Sequence, residues 1–421
     1  MNAVASNAGV ANAATDFSIK RFVENICFRF GPRLPGTAAE AKTARFLAQA
    51  LREYCDEVVI DEHRFSPRSF DWGATFHLMI YLVALVAYVI VPPMSLALVL
   101  LSISIFFLSR LKGYEILEQF FPQEKTQNVV GKIKSRGQPR QVLILSAHHD
   151  SAYYMPFLEK RSRKIFLPVF FFILLAHGIL FIAAGVRMVA SPFPVFGSLS
   201  GYLYGIAVVA GILFFIFRLF LFKNVAVLGA NDNLASVGVL VAAARYCAAN
   251  RPGHIECWFV SFGAEEVGLR GSKRFTRKHW HELEKSMVIN LEMVGAGTLM
   301  VVAGERMAGA RHSPVVVSLI VDAAKACGIE MSTFVGIFGE TDASSFSRMG
   351  IQAATIAAFG EDGVPPNWHL LTDTPENIDE DHLQNALRVC LKCIHLLDHP
   401  EEHSAAGAGS SEESKLMVRN E

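Results

Sequence analysis

The stretch QVLILSAHHDS at residues 141–151 runs from an apolar segment directly into two histidines and an aspartate. A short apolar run bounded by polar residues predicts a buried strand of an α/β sheet, which here covers Val142 to Ser146. Similar runs recur along the chain, and helical patterns separate them. We predict further strands at residues 58–60, 129–133, 256–261, 288–291, 299–302 and 353–357, and helices at 36–54, 234–249, 315–326 and 380–397.

Two long apolar blocks interrupt this alternation. Residues 74–109 carry no charged side chain, and Pro92 and Pro93 lie near the middle of the block. Because about 20 apolar residues span a bilayer and proline breaks a helix, we expect two spans joined at the prolines. A second block runs from Ile165 to Val186 and resumes from about Gly197 to Leu221. Buried core helices are the alternative, but helices of this length without a polar face are rare in soluble domains.

Four spans in two hairpins make the chain an integral membrane protein, and the flanking charges predict its orientation. Lysines and arginines next to the spans lie on the side of the polar segments, and only Arg187 lies at a hairpin tip. The positive-inside rule then places the polar domain in the cytoplasm. Seven cysteines, an odd number, fit a reducing compartment better than a disulfide framework. The start, MNAVASNAGV, lacks the basic residues and apolar core of a signal peptide and is expected to stay on the mature chain.

Both hairpins leave the polar domain and return to the same side, so the polar segments can form one domain. The 421 residues are 52% hydrophobic and 19% charged, which is too polar for a chain made only of membrane helices. The net charge is zero, and we expect no nucleic-acid partner. We predict one domain from residues 1–73, 112–164 and 224–400, transmembrane hairpins at 74–111 and 165–223, and a disordered tail at 401–421.

Carboxylates and histidines gather where the predicted strands end. The carboxyl ends of strands in α/β sheets form the usual functional crevice. Two imidazoles with three carboxylates suit Zn²⁺, and carboxylates can bridge a metal pair. The segments are SAHHDS (146–151), GANDN (229–233), GAEEVG (263–268), NLEM (290–293), NWH (367–369) and DTPEN (373–377).

Charge favours a pair of metal ions over a single ion. Two Zn²⁺ bring four positive charges, which Asp232, Glu266 and Glu292 neutralise together with a bridging hydroxide. One ion with the same ligands would leave the cleft negative. Two metals about 3.5–4 Å apart polarise a carbonyl and generate hydroxide near neutral pH. Glu265 is then free to act as the general base that takes the water proton.

The order and wording of these segments resemble the zinc exopeptidase family that includes bacterial leucyl aminopeptidase, aminopeptidase Y and glutamate carboxypeptidase. The likeness extends over the polar sequence and includes GPRLPGT at residues 31–37 and NVVG at 128–131. It implies a co-catalytic two-zinc fold with a central, mainly parallel sheet flanked by helices. The present chain would be a membrane-embedded variant of that α/β fold, with two inserted hairpins.

The resemblance also implies a role for each matching residue. Glu265 would be the general base, Asp150 would fix the orientation of the histidine two residues before it, and Asp232 would bridge the two metals. The predicted ligands of two Zn²⁺ are His148, Asp232, Glu266, Glu292 and His369.

Some features depart from the family's pattern or lie beside it. A whole hairpin separates Asp150 from Asp232, although these motifs lie close together in soluble relatives, and Trp368 stands where a tyrosine is common. His149 is expected to form a pocket wall or to support the ligands. His177, within a span, either marks a functional polar site or faces another helix. Cys390 and Cys393 are expected to pack within a helix, since no second pair completes a metal knuckle.

The predicted activity is hydrolysis of a peptide bond near a chain terminus, with release of an N-terminal residue. The alternatives are a carboxypeptidase or glutaminyl cyclase on the same fold, or a non-catalytic membrane receptor or scaffold. The partners are then a peptide substrate and the lipid bilayer. About a dozen residues separate Asp150 from the third span, and each extends at most about 3.6 Å, so the site lies within roughly 40 Å of the bilayer. A membrane-derived peptide is therefore a candidate substrate.

Overall fold

The computed structural model describes residues 17–159, 163–189, 194–221, 224–336 and 339–401. The predictions for the N-terminus and for the tail fall on residues 1–16 and 402–421, which lie outside the described residues. The helices are α1 (Ile19–Phe30), α2 (Ala38–Arg52), α3 (Pro67–Ile90), α4 (Pro92–Lys112), α5 (Arg163–Val189), α6 (Pro194–Leu221), α7 (Ser236–Ala249), α8 (Arg270–Lys278), α9 (Trp280–Leu283), α10 (Pro314–Ala326), α11 (Ala343–Ser347) and α12 (Glu380–Asp398).

A nine-stranded sheet forms the centre of the polar domain, in the order β1-β2-β4-β3-β5-β9-β6-β7 with β8 paired to β6. Each predicted strand is confirmed, and two short strands, β7 and β8, were not predicted. The strands are β1 (Glu57–Phe65), β2 (Glu124–Ile133), β3 (Gln141–His148), β4 (Ile255–Phe262), β5 (Met287–Glu292), β6 (Thr298–Glu305), β7 (Ala310–Arg311), β8 (Thr333–Gly336) and β9 (Gln352–Phe359).

The sheet is parallel in its centre and antiparallel at the β1 edge, and at the other edge β6 pairs antiparallel with β7 and β9 but parallel with β8, so the sheet is mixed rather than mainly parallel. Strand β3 runs parallel to β4 and β5, and β5 runs parallel to β9. The pairs β1-β2, β2-β4, β6-β7 and β6-β9 are antiparallel. Along β1, the exposed residues Glu57, Val59, Glu62 and Arg64 are separated by partly or fully buried ones, as expected for an antiparallel edge strand with one wet face.

Helices cover both faces of this sheet. Leu143 and Leu145 of β3 pack into one core with α1, α2, α7, α10 and α12, whereas Ile144 packs into the opposite core with Phe275 of α8 and Phe346 of α11. The two cores therefore bury alternate residues of the same strand, as a strand covered on both faces requires. This confirms the predicted α/β fold with a central sheet flanked by helices.

The two apolar blocks form four long helices. The first block breaks at the predicted place, since α3 ends at Ile90 and α4 begins at Pro92. Helix α3 begins earlier than predicted, at Pro67, because Ser66 caps it and proline suits the first helical turn. All four helices are long and apolar enough to cross a membrane by length and composition. Only 22–33% of each apolar window is buried, so most of this apolar surface faces outward.

The four helices pack against each other through small and aromatic side chains. Ala84 of α3, Ala183 of α5 and Ala207 of α6 are fully buried in one cluster. Tyr81 of α3 donates to the carbonyl of Ala207, and its ring lies 4.6 Å from that of His177. His177 therefore faces its neighbouring helices, which was one of the two interpretations of this residue from the sequence.

Candidate metal centre

Strand register brings the first two acid–base groups together. In the parallel pair β3-β5, Ser146 lies opposite Asn290, so His148 and Glu292, each two residues further on, end their strands side by side. The His148 Nε2 atom lies 3.1 Å from Glu292 Oε1. On the other side of β3, His148 pairs with Phe262, the last residue of β4. The chain that follows β4 therefore starts beside the same histidine.

That chain is the turn from Gly263 to Leu269, which carries the glutamate pair and which we call the catalytic turn. It bends sharply because Ala264 has a φ of 52°. Gly263 is required, since a Cβ there would lie 2.3 Å from the Thr126 hydroxyl. The carboxylate of Asp150 accepts hydrogen bonds from the backbone amides of Glu265 (3.1 Å) and Glu266 (3.0 Å). The turn is thereby fixed directly over the end of β3.

Asp232 lies in an irregular turn at residues 230–235, just before α7. The peptide bond between Asp232 and Asn233 is cis. The buried carboxylate of Asp373 accepts from the amides of Asn231 (2.6 Å) and Asp232 (3.2 Å). The Asn233 side chain donates to the carbonyl of Leu291 and accepts from the amide of Met293, which ties this turn to the end of β5.

His369 approaches from the loop that follows β9. Its backbone φ of 52° and that of Asn367, 65°, direct the loop back towards the sheet. The His369 Nε2 atom lies 2.9 Å from Glu266 Oε2 and 3.2 Å from Asp232 Oδ2. The His369 carbonyl also accepts from the amide of Met155, which lies between β3 and α5.

The five predicted ligands thus form two triads that share one carboxylate. His148 Nε2 contacts Asp232 Oδ1 at 3.2 Å and Glu292 at 3.1 Å, whereas His369 Nε2 contacts Asp232 Oδ2 and Glu266. Ligand atoms of His148, Asp232 and Glu266 all lie within 4.8 Å of one another. Among the described residues, Asp232 Oδ2 and Glu266 Oε1 are buried without a hydrogen-bond partner. Nitrogen and carboxylate donors in this arrangement fit the ligand preferences of zinc.

Glu265, the predicted base, lies next to the two triads but is a member of neither. Its Oε2 atom is 3.8 Å from His148 Nε2. Burial, together with the charges of Glu266 and Glu292, raises the pKa of Glu265 well above its usual value. A cation bound to the neighbouring groups would oppose that shift and favour the carboxylate that a general base needs.

The pKa values of the cluster shift in different directions. Burial raises the pKa of Asp232, but its contacts with His148 and His369 outweigh burial and lower that pKa. Burial and the charge of Asp232 raise the pKa of Glu266 to about 7. Burial lowers the pKa of His369, but Glu266 and Asp232 outweigh it and raise that pKa to about 10. The raised pKa values have one cause, because the buried carboxylates of the site exceed the positive charge nearby. A cation bound among them would reduce this imbalance.

Asp150 has a second contact that its sequence motif does not predict. Its Oδ1 atom lies 3.4 Å from His148 Nδ1, as expected for a residue that orients this imidazole. The same carboxylate also holds the catalytic turn through the amides of Glu265 and Glu266. One buried aspartate therefore lies beside the histidine and accepts hydrogen bonds from the backbone of the glutamate pair.

Sequence reasoning assigned no role to three buried charged residues near the site. Arg33 is fully buried, and its guanidinium donates to the carbonyls of His149, Leu228 and Gly229. It thereby joins the loop after β3 to the turn that carries Asp232. Glu40 accepts a hydrogen bond from the amide of Ala264, and burial raises its pKa to about 8. Burial also raises the pKa of Asp342 to about 8. The signal for Arg33 was its place within GPRLPGT, which the resemblance already included.

The remaining flagged residues lie outside the triads. His149 is buried and its Nδ1 atom lies 2.9 Å from the Ser261 hydroxyl, so it supports the strand ends from behind. Burial lowers the pKa of His149 to about 3. Cys390 and Cys393 lie within α12 and are buried in the core, which confirms that they pack within a helix, and none of the seven cysteines forms a disulfide.

Comparison with known proteins supports the same reading. Residues 217–394, which include Asp232, Glu265, Glu266, Glu292 and His369, match Peptidase family M28. The aminopeptidase YwaD of Bacillus subtilis (strain 168) is 33% identical over 166 residues, which are 38% of this chain and 35% of that protein. The match thus spans about a third of this curated relative.

Solved structures resemble nearly the whole chain. A Zn-dependent exopeptidase from Parabacteroides distasonis superposes with a TM-score of 0.54 at 18% identity, over 90% of this chain and 96% of its own. A glutaminyl cyclase from Tannerella forsythia superposes with a TM-score of 0.53 at 17% identity, over 90% and 97%. The resemblance inferred from the sequence is thereby confirmed: the chain has the zinc aminopeptidase fold, and its residues 217–394 resemble Peptidase family M28.

Proposed function

We propose that this chain is a membrane-bound, zinc-dependent aminopeptidase that uses two metal ions. The observation that carries the proposal is the pair of triads around Asp232, each with one imidazole and two carboxylates. One triad would hold a zinc ion through His148, Asp232 and Glu292. The other would hold a second ion through His369, Asp232 and Glu266, so that Asp232 is the bridging ligand.

The bound metals would polarise the scissile carbonyl and lower the pKa of a water molecule. Glu265 would take the proton of that water and deliver it to the leaving amine, which frees the new N-terminus. Asp150 would keep His148 in the required orientation, because the carboxylate lies on the Nδ1 side of the ring. The same carboxylate would hold Glu265 in place through the backbone amide.

An N-terminal specificity is favoured by the relative YwaD, which is named as an aminopeptidase. Because the chain also superposes on a glutaminyl cyclase, cyclisation of N-terminal glutamine is the second candidate activity. A panel of aminoacyl p-nitroanilides, acidic dipeptides and peptides with N-terminal glutamine separates aminopeptidase, carboxypeptidase and cyclase. We expect turnover of the aminoacyl p-nitroanilides. Turnover of another class alone would move the proposal to that activity.

The four apolar helices support attachment to a bilayer, with the polar domain in the cytoplasm by the charge asymmetry of their flanks. The chain between β3 and α5 stays close to the site, since the Met155 amide donates to His369 and the Tyr154 amide donates to Val225, just beyond α6. The described segments before and after the second hairpin therefore contact each other, and the first of them also contacts a proposed metal ligand. A peptide whose N-terminus lies at the membrane surface is the substrate class that this placement favours.

Replacement of Glu265 tests the proposed mechanism. In Glu265→Gln the side chain keeps its shape but cannot accept a proton, so kcat should fall by about 10²–10⁴-fold or more. Zinc content should stay near the wild-type value, because Glu265 belongs to neither triad. Elemental analysis and a p-nitroanilide assay on the purified full-length protein measure both quantities. Undiminished activity would refute the assignment, and absence of zinc from the wild type would favour a non-catalytic scaffold.

A further inference from the structure

A second buried cluster of charges lies where the first apolar hairpin joins the polar domain. It consists of Glu115 and Glu118, which follow α4, and of Arg270 and Arg274 in α8, and we call it the hairpin-base cluster. Arg270 Nη1 lies 2.6 Å from Glu115 and 3.2 Å from Glu118, and Arg274 pairs with both glutamates. The side chains of Glu115, Glu118 and Arg270 are each at most 10% exposed.

The cluster contacts both ends of the hairpin. Glu118 accepts a hydrogen bond from the amide of Ser66, the residue that caps α3. Arg270 Nη2 donates to the hydroxyl of Ser69 in the first turn of α3 at 3.2 Å. Glu115 and Glu118 themselves come directly after α4. Arg270 therefore contacts both the start and the end of the hairpin, whereas Arg274 contacts its end.

On its other side the cluster holds the catalytic turn. Arg270 is the first residue after that turn, and its amide donates to the carbonyl of Ala264 at 2.9 Å. The amides of Gly268 and Leu269 both donate to the carbonyl of Glu265. The turn thus closes on Arg270, and a shift of Arg270 would move the backbone that carries Glu265 and Glu266.

We propose that Arg270 is a positioning residue, through which the seating of the first hairpin sets the geometry of the catalytic turn. The inference rests on the proposed function for its effect on activity, but its structural part does not. A planar guanidinium can pair with two carboxylates and a hydroxyl at once, whereas a lysine offers a single point charge. The first hairpin would then help to position the catalytic turn, in addition to attaching the chain to the bilayer.

Two conservative variants test this coupling from opposite sides. Arg270→Lys keeps the charge and loses the fork, and Glu115→Gln changes the hairpin side at a residue far from the site in sequence. Matched controls come from Arg251 and Asp56, which form an exposed pair at 2.7 Å near the N-terminal end of β4, away from the metal centre. The controls are Arg251→Lys and Asp56→Asn, in the purified full-length protein.

We expect Arg270→Lys and Glu115→Gln each to lower kcat for an alanyl or leucyl p-nitroanilide by about tenfold or more, since small misplacements of catalytic groups are costly. KM should change by less than about twofold and zinc content should not change. The control pair should leave kcat within about twofold of wild type. Unchanged kcat in both test variants, or an equal loss in the controls, would overturn the proposal.

Hydrogen–deuterium exchange gives a readout that needs no activity. The amides of residues 268–270 should exchange at least about tenfold faster in both test variants, while those of β4 keep the wild-type rate. Faster exchange throughout the domain would indicate general destabilisation and would count against a positioning role. If the wild type cleaves none of the substrates, the proposed function fails, yet local exchange still decides whether Arg270 couples the hairpin to the turn.

Discussion

The metal centre and the hairpin-base cluster are both buried groups of charged residues, but their charges balance differently. In the hairpin-base cluster two glutamates face two arginines, and the half-exposed Arg277 lies 3.9 Å from Glu115. Burial raises the pKa of Glu115, but Arg270 and Arg274 outweigh it and hold that pKa at about 2. Burial and the charge of Glu115 raise the pKa of Glu118. The contrast with the metal centre is therefore one of composition, since here the chain itself supplies the cationic partners.

The metal centre lacks such compensation. Asp232, Glu266 and Glu292 meet two imidazoles, with Asp150 and Glu265 directly beside them. Burial raises the pKa of Glu265, Glu266 and Glu292 above the usual value. A buried cluster whose carboxylates are paired with arginines can serve a structural role without any ligand. A buried cluster with surplus negative charge favours the binding of a cation from outside the chain.

Removal of metal should give the largest difference between the two clusters. A chelator such as 1,10-phenanthroline should abolish peptidase activity, because both the polarisation of the carbonyl and the activation of water depend on the ions. Added Zn²⁺ should restore the activity of the wild type. In Arg270→Lys it should restore the activity that this variant had before chelation. Assays before and after chelation check this. Full activity after verified loss of metal would break the proposed contrast.

Replacement of Asp150 should have the next largest effect. Asp150→Asn should weaken zinc binding by about 10–100-fold, since it removes the charge behind His148. The matched control is Asp398→Asn, because Asp398 is also a buried aspartate that accepts from two backbone amides, those of Gly253 and His254. Zinc titration with a competing chelator measures both variants. Equal zinc affinity in the two would contradict the role of Asp150.

The pH dependence of the metal-free protein should sharpen the comparison further. Burial and the charge of Asp150 raise the pKa of Glu40 from 4.5 to about 8. A raised pKa contributes stability below about pH 4.5 that is lost as pH rises through 8. We expect the Tm of the metal-free protein to fall by several degrees between pH 5 and pH 8, and Glu40→Gln to reduce that fall. An unchanged slope in the variant would remove Glu40 from the explanation.

The smallest effect should come from the cysteines of α12. Cys393 is fully buried in the core, so Cys393→Ala should cost about 1 kcal/mol of stability through lost packing. Zinc content and activity should not change, because the residue touches neither cluster. Thermal unfolding and elemental analysis provide the two readouts. A loss of zinc would revive the metal-knuckle interpretation.

The sequence predicted most of the strands, the break of the first hairpin at the prolines and the segments that meet at the site. These features depend on local patterns, such as apolar runs, prolines and polar residues at strand ends. Strand register then explains why His148 lies beside Glu292, which no local pattern could predict.

Features that depend on long-range contacts could not be predicted. The antiparallel pairs within the sheet follow from which strands become neighbours, and Arg33 was recognised only as part of a motif. Asp150 was expected to orient His148. Its hydrogen bonds to the catalytic turn were not predicted, because Glu265 and Glu266 lie 115 and 116 positions after it in the sequence. The hairpin-base cluster joins Glu115 to Arg270 across a second hairpin, and neither residue belongs to a motif.

The central claim is that two metal ions share Asp232, and metal stoichiometry tests it most directly. Elemental analysis of the purified full-length protein should find about two zinc ions per chain, as expected of a co-catalytic pair. Asp232→Asn should lose most of that zinc, since both triads contain this carboxylate. A wild type with no bound metal, or an Asp232→Asn variant with the full wild-type content, would contradict the account.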